Sequence, residues 1–202
     1  MASIKDNKLS VVKNLYYQKG LGMGEIAEKL NCSIHSVCYF MRRHNLKRRS
    51  LVEISRRRFE AKLPSFKLKK KLSLKDERLK IIGTVIYWGE GAKSDKTNVV
   101  DLANSDPKMV SIFIKFLRQI CGVDESKLRI LLYCYSNQKP LDLIKFWSKI
   151  TKVSPKQFSK PYVREDFLPE KEGKMPHGLI HVRYGDKKLL MKIKEWIEDC
   201  KK

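Results

Sequence analysis

Gly83-Thr84-Val85-Ile86-Tyr87-Trp88-Gly89-Glu90-Gly91 is the stretch whose reading decides the fold of this chain. Residues 81–88 are almost wholly apolar, and a helix that is apolar on every side reads as buried nearly all round. It runs straight into a carboxylate, Glu90, set between two glycines. An ionised carboxylate at the end of a buried segment calls for a metal ion or a cation, because removing it from water unpaired is costly. Upstream, Ser73 with Asp76 three residues later has the pattern of a capping box, so the helix is expected to start there and end near residue 89. Gly83 and Gly89 are expected to let another helix approach closely along it.

Working outward, residues 98–104 read as a strand, preceded by a short pairing segment around residues 92–96. Asp106-Pro107 opens a helix in which Val110, Phe113, Phe116 and Leu117 are apolar, and Gly122 stops it. Residues 128–135 are rich in branched and aromatic side chains and read as a strand. Residues 140–149 are helical, 157–164 extended, 179–184 a strand and 187–199 a final amphipathic helix. The predicted class is α+β: an all-α N-terminal domain, then a mixed α/β domain whose antiparallel sheet is backed by helices on one face. The expected boundaries are 1–46, a basic linker 47–72, and 73–202.

The quoted stretch resembles the signature of LAGLIDADG homing endonucleases, in the form that ends Gly-Glu-Gly. Gly89 matches the small seventh position, Glu90 the acidic eighth and Gly91 the closing glycine; Val85 stands where the family usually has glycine, and Trp88 at the first acidic position. The order of elements down to about residue 200 also looks like one such domain. The resemblance implies that Glu90, with Gly89 beside it, holds Mg²⁺ (or Mn²⁺) at a scissile DNA phosphate, and that Lys93, Lys96 or Lys160 steadies the charge of the transition state. With one copy of the motif per chain, it implies a homodimer on a roughly two-fold symmetric site. It also implies that the uncovered sheet face straddles double-stranded DNA, with Arg129, Tyr133, Lys160, Arg164, His181 and Arg183 as candidates there.

The N-terminal third points to the same partner. The formal charge is +22, and residues 1–71 hold 18 Lys and Arg against 5 Asp and Glu, while residues 72–202 hold 26 against 17. Such an excess implies a polyanion, DNA before RNA. Helices are expected over 9–18 and 23–30, and Ser33 caps a third with Ile34, Val37 and Met41 at helical spacing. This succession resembles a helix-turn-helix unit of the resolvase or sigma-factor type over residues 8–46. The resemblance implies a recognition helix that turns His35, Ser36, Tyr39, Arg42 and Arg43 toward DNA. Lys47-Arg48-Arg49, Arg56-Arg57-Arg58 and the lysines of 67–71 read as a segment that follows phosphates, with Arg48, Arg49 and Arg57 among the contacts.

No stretch reaches the roughly 18 apolar residues of a membrane span, and residues 1–20 lack the apolar core of a signal peptide. Five scattered cysteines without a CxxC pair fit reduced thiols, so a cytoplasmic protein working on chromosomal or mobile-element DNA is expected. The spacing of Cys32, His35, Cys38 and His44 invites a zinc reading, but Cys38 is well explained as a small apolar filler. The function expected is metal-dependent, site-specific DNA cleavage. The alternative is a non-catalytic helix-turn-helix transcription regulator carrying a degenerate LAGLIDADG domain, and a third class is an RNA-binding or splicing factor.

Overall fold

Val12, Leu15 and Tyr16 give the first helix its apolar stripe, and the chain coils there as α1 (Leu9–Lys13), widening into a π-type turn over Asn14–Gln18. In this computed structural model, which describes residues 4–94, 96–165, 173 and 175–202, α1 belongs to the first of two units, Met1–Lys62 and Leu63–Lys202. α2 (Met23–Lys29) and α3 (Ile34–Arg43) follow, the latter started by the Ser33 hydroxyl, which accepts from the Ser36 amide at 3.0 Å. Ile26, Ala27, Val37, Phe40 and Met41 close with Val12 and Tyr16 into a small core of their own. α4 (Leu51–Ala61) starts at a reciprocal Ser50/Glu53 cap and buries none of its residues fully; Arg57 ties it back by donating to the Gly20 carbonyl at 3.0 Å.

The segment expected as a linker is therefore divided. Residues 47–62 go with the first unit, and residues 63–72 are built into the second. There the Lys67 amide donates to Gly122 O at 2.9 Å, the Lys69 amide to Ile120 O at 3.0 Å, and Phe66, Leu68 and Leu72 pack on the core. Gly122 has φ +59°, and a Cβ on it would collide with the Lys67 carbonyl, so only glycine allows both the left-handed turn and this approach.

In the second unit the elements run α5 (Leu74–Glu90), β1 (Val100–Asn104), α6 (Pro107–Phe116, continued by a π-type turn over Leu117–Cys121), β2 (Leu128–Tyr135), α7 (Pro140–Thr151), β3 (Tyr162–Arg164), β4 (Leu179–Tyr184) and α8 (Lys187–Cys200). The sheet order is β1-β4-β2-β3. β4 pairs antiparallel with β1 and β2, but β3 runs parallel to β2, so the sheet is mixed rather than antiparallel as expected. The cause is the connection: a chain that leaves β2 through a helix, α7, returns in the direction it set out.

Period-two alternation then sorts the strands. Val100, Leu102, Leu128, Ile130, Leu132, Ile180, Val182 and Tyr184 turn inward and are buried in one core with Phe113, Phe116, Trp147, Leu189 and Ile193 from the helices. All the helices contribute to that face. The other face carries Asp101, Arg129, Leu131, Tyr133, His181 and Arg183, none of them fully buried. Among the described residues no helix is long and apolar enough to cross a membrane.

α5 departs from its sequence reading in one respect. It is not buried all round: Gly83, Thr84 and Tyr87 are buried, whereas Ile81, Ile82, Val85 and Trp88 stay 56%, 46%, 48% and 41% exposed. Its inner side meets α6, with Tyr87 stacked on Phe113 at 5.8 Å between ring centroids. Its outer side is an apolar stripe at helical spacing; the end of α8 borders it, with Trp196, Asp199 and Cys200 lining a shared groove and Lys201 Nζ 5.6 Å over the Trp88 ring, but the stripe stays about half exposed.

Candidate nucleic-acid interface

The helix end and the sheet share one anchor. Tyr87 is fully buried, and its hydroxyl donates to Ala92 O at 2.9 Å and accepts from the Asp101 amide at 3.5 Å. Burial pushes its phenol up to about 12, so it remains a neutral donor throughout the ordinary pH range. Gly91 bridges Leu102, and the Ala92 amide donates to Asp101 O at 2.9 Å, so the chain leaving α5 adds itself to the edge of β1. This is the pairing expected around residues 92–96, placed slightly earlier; Asp95 lies outside the described residues.

Glu90, the last residue of α5, is exposed and has no polar partner among the described residues. Its position is unusual, because a carboxylate at a helix C-terminus faces the negative end of the peptide dipoles, which favours cations there. Lys93 supplies one: its Nζ donates to Trp88 O at 2.6 Å and lies 3.4 Å from Gly89 O. Gly89 itself points into open space, with no atom within 4 Å of where a Cβ would stand. Gly83, by contrast, faces inward, and a Cβ there would lie 2.6 Å or less from Phe116. The two glycines thus admit different neighbours: Gly83 the helix α6, Gly89 open space.

Lys96 is exposed on the loop that follows, its amide held by Ser94 Oγ at 3.3 Å. Lys160 is not brought to Glu90. It precedes β3 on the edge of the sheet far from Gly91, about 20 Å away at ordinary strand spacing. Within one chain it cannot serve the phosphate that Glu90 would address. Among the described residues no three His, Cys, Asp or Glu side chains converge as a metal centre.

On the outer face of the sheet Arg129 stands directly across from Arg183. Like charges opposite one another on adjacent strands are unfavourable for the fold, and Asp101, across from Arg183 on the other side, offsets part of this. Arg129 is curled back, donating to Ser126 O and Leu128 O at 2.7 Å each. Arg183 reaches outward from Asp101, and Tyr133 tilts against His181 and Tyr162 at 5.0 Å each, a row of rings across three strands. Arg164 is exposed on the edge strand β3.

In the first unit His35, Tyr39, Arg42 and Arg43 are exposed on α3, with Arg43 bonded to Asp6 at 3.0 Å. Ser36 is half-buried and shares the helix cap with Ser33. Arg48 is exposed, 3.8 Å from Cys38 Sγ. Arg49 and Arg57 are occupied inside the unit rather than left for phosphates. Arg49 donates to Leu21 O at 2.9 Å and to Tyr16 O, and lies 4.0 Å over the Tyr16 ring; Arg57 holds Gly20. Arginine's fork satisfies such loop carbonyls well, and a run of basic residues does not reveal which members it will use.

The chain matches no protein-family model, no curated protein and no solved structure. The site therefore rests on its own geometry. Sequence reading missed Asp101, which pairs with both His181 and Arg183, although the alternation of β1 already put it on the outer face. It also missed Tyr162, whose ring contact depends on the parallel pairing of β3.

Proposed function

We propose that this chain is a DNA-binding protein of the LAGLIDADG type, a site-specific endonuclease that acts as a homodimer joined along α5. One observation carries the reading: an apolar stripe, Ile81, Val85 and Trp88, stays about half exposed on a helix that ends in an acid, Glu90, with no polar partner among the described residues. A row of apolar side chains left about half exposed along one side of a helix is a candidate interaction surface, and a second copy of the same stripe is its natural complement. Across a two-fold axis two Glu90 carboxylates and two helix ends meet, which makes the place strongly attractive to a divalent cation.

The donors available are hard oxygens, the Glu90 carboxylate and the Gly89 carbonyl, and these suit Mg²⁺ or Mn²⁺. When bound, the ion supplies Lewis-acid activation of the scissile phosphate and of water. The protein's part is to hold the acids at the seam, to bring Lys93 near the developing charge, and to grip the duplex on the outer sheet face. α3 of the first unit, which resembles a recognition helix, adds a second basic contact surface.

A second reading has its own support. Lys93 already sits on the carbonyls at the helix end, as in a domain that keeps the fold and binds DNA without cutting it. Glu90→Gln separates the two. Under Mg²⁺ or Mn²⁺ the unaltered protein is expected to nick a library of duplex sites, and the variant to lose nicking while keeping or improving affinity, since a negative charge near phosphate is gone. If neither cuts and both bind, the protein is a regulator. If neither binds, both readings fail.

A further inference from the structure

One carboxylate governs two of the basic side chains on the outer sheet face. Asp101 on β1 lies opposite Arg183 on β4; its Oδ2 accepts from Arg183 Nε at 2.8 Å, and its Oδ1 lies 2.8 Å from His181 Nδ1. Burial raises the carboxyl's pKa, but the hydrogen bond and charge of His181 and the guanidinium of Arg183 outweigh it and hold the group below its ordinary value. An ionised carboxylate only accepts, so a ring proton sits on Nδ1, and Nε2 has no hydrogen-bond partner among the described residues. In the same way, a guanidinium bound through Nε keeps both terminal amino groups for something else, and neither has a partner among the described residues. The Tyr133 ring backs His181 from the β2 side.

We propose that Asp101 is a positioning residue that presents Arg183, with His181 beside it, as a reader of guanine in the major groove of duplex DNA. This rests on the reading that the outer sheet face lies on DNA. Guanine offers O6 and N7 side by side, and the two terminal amino groups of an arginine match that pair. The buttress is what distinguishes such a residue from a phosphate contact. A phosphate accepts from a mobile arginine at many angles, whereas a base edge requires a fixed fork whose rotamer freedom is already spent. Arg129, folded onto its own strand's carbonyls, lacks that arrangement. Because the Asp101 carbonyl also takes the Ala92 amide, the chain leaving the helix end that carries Glu90 lies next to β1, and Arg183 on β4 stands two strand spacings from it, about 10 Å, so the guanine it selects lies within a few base pairs of the phosphate addressed by that acid.

The test uses the full chain, with Asp101→Asn and Arg183→Lys as variants and a randomised duplex library as probe. Bound sequences are counted at fixed salt, and thermal midpoints are recorded in parallel. The expected result is a guanine preference at one position of each half-site. Both variants should lower it about tenfold or more, the order of discrimination one bidentate pair supplies. Other positions should be unchanged, and pool affinity equal or higher for Asp101→Asn. Arg183→Lys keeps the charge and an ion pair with Asp101, so it decides the matter if Asp101→Asn fails to fold. A preference that survives in folded variants overturns the proposal, as does an equal loss for all sequences, which would mean a phosphate contact. If the unaltered chain protects no duplex, the DNA reading itself fails and the proposal with it, a result separable from the others because no binding is there to alter.

Discussion

Gly83 and Gly89 lie six residues apart on α5, and adding one methyl to each should have opposite consequences. At Gly83 a Cβ meets Phe116, which is fully buried and has no room to retreat. Overpacking of this kind costs about 1–3 kcal/mol, against a helix-propensity gain of somewhat under ~1 kcal/mol. With the Cβ well inside contact distance of a Phe116 ring carbon the upper part of that range applies, about 2–3 kcal/mol, so the net loss for Gly83→Ala is about 1–2 kcal/mol, or a fall of roughly 2–8 °C in the melting midpoint for a unit of this size. At Gly89 the new methyl meets nothing among the described residues. Gly89→Ala should raise the monomer's midpoint slightly, by a share of the same propensity term. At the seam of two α5 helices, however, two added methyls hold the backbones apart, and the dimer's Kd should rise about tenfold, equivalent to about 1.4 kcal/mol. The assays are thermal unfolding at low protein concentration and sedimentation across a concentration series. Phe116→Leu should recover part of the Gly83→Ala loss and nothing of the Gly89→Ala effect, since only the first pair is in contact. If Gly89→Ala leaves self-association untouched, the outer side of α5 is not the seam. If Gly83→Ala is neutral, the packing of α5 on α6 is looser than the structure has it.

Substitutions at Arg49, Arg48 and Asp186 test other parts of the chain. Arg49→Ala should destabilise the first unit by about 1–3 kcal/mol, because Tyr16 O and Leu21 O lose their donor. Arg48→Ala should leave its midpoint alone while lowering the slope of log affinity against log salt by about one, and a shallow slope change for Arg49→Ala with no loss of stability would reverse these roles. Asp186 is 5% exposed and caps α8 through the Lys188 and Leu189 amides, while its other oxygen takes the Ser65 amide at 2.7 Å. Burial pushes this carboxyl up, but the Ser65 bonds and the two amides bring it below its ordinary value. A depressed folded pKa means stability that is present above the unfolded value near ~4 and lost as pH falls through the folded one. Asp186→Asn should flatten that acid limb in unfolding curves taken between neutral pH and about pH 2; an unchanged limb would assign it to other carboxylates.

Much of the second unit was legible because its signals are local. Strands 128–135 and 179–184 are bounded by turn residues and rich in branched side chains, and each forms where the pattern put it. The cap at Ser73 and the proline after Asp106 likewise begin helices at the expected residues. What sequence could not reveal depends on partners far along the chain. The direction of β3 follows from the crossover through α7, and the docking of residues 63–72 from a groove beside Gly122 that exists only once α6 has ended. The outer exposure of α5 escaped for a different reason: an apolar side chain reads the same whether its neighbour is its own core or a second molecule. Lys160 looked available to Glu90 because separation across a sheet is invisible in a linear pattern.

Glu90 stands where its helix gains least from an acid. An acid at a helix C-terminus disfavours the helix by a few tenths of a kcal/mol or more, and Lys93 only partly offsets this by sitting on the neighbouring carbonyls. A fold under no other demand gains by exchanging that acid for a neutral or basic residue. The same helix end is held to the sheet by the buried Tyr87 hydroxyl, through Ala92 on one side and Asp101 on the other. One tyrosine thereby sets the spacing between an acid with no polar partner among the described residues and a carboxylate that holds two basic side chains. Rigid support of that kind contributes little to stability where the supported group is exposed. It is what a site needs when an acid and a base reader must meet the same duplex a fixed distance apart.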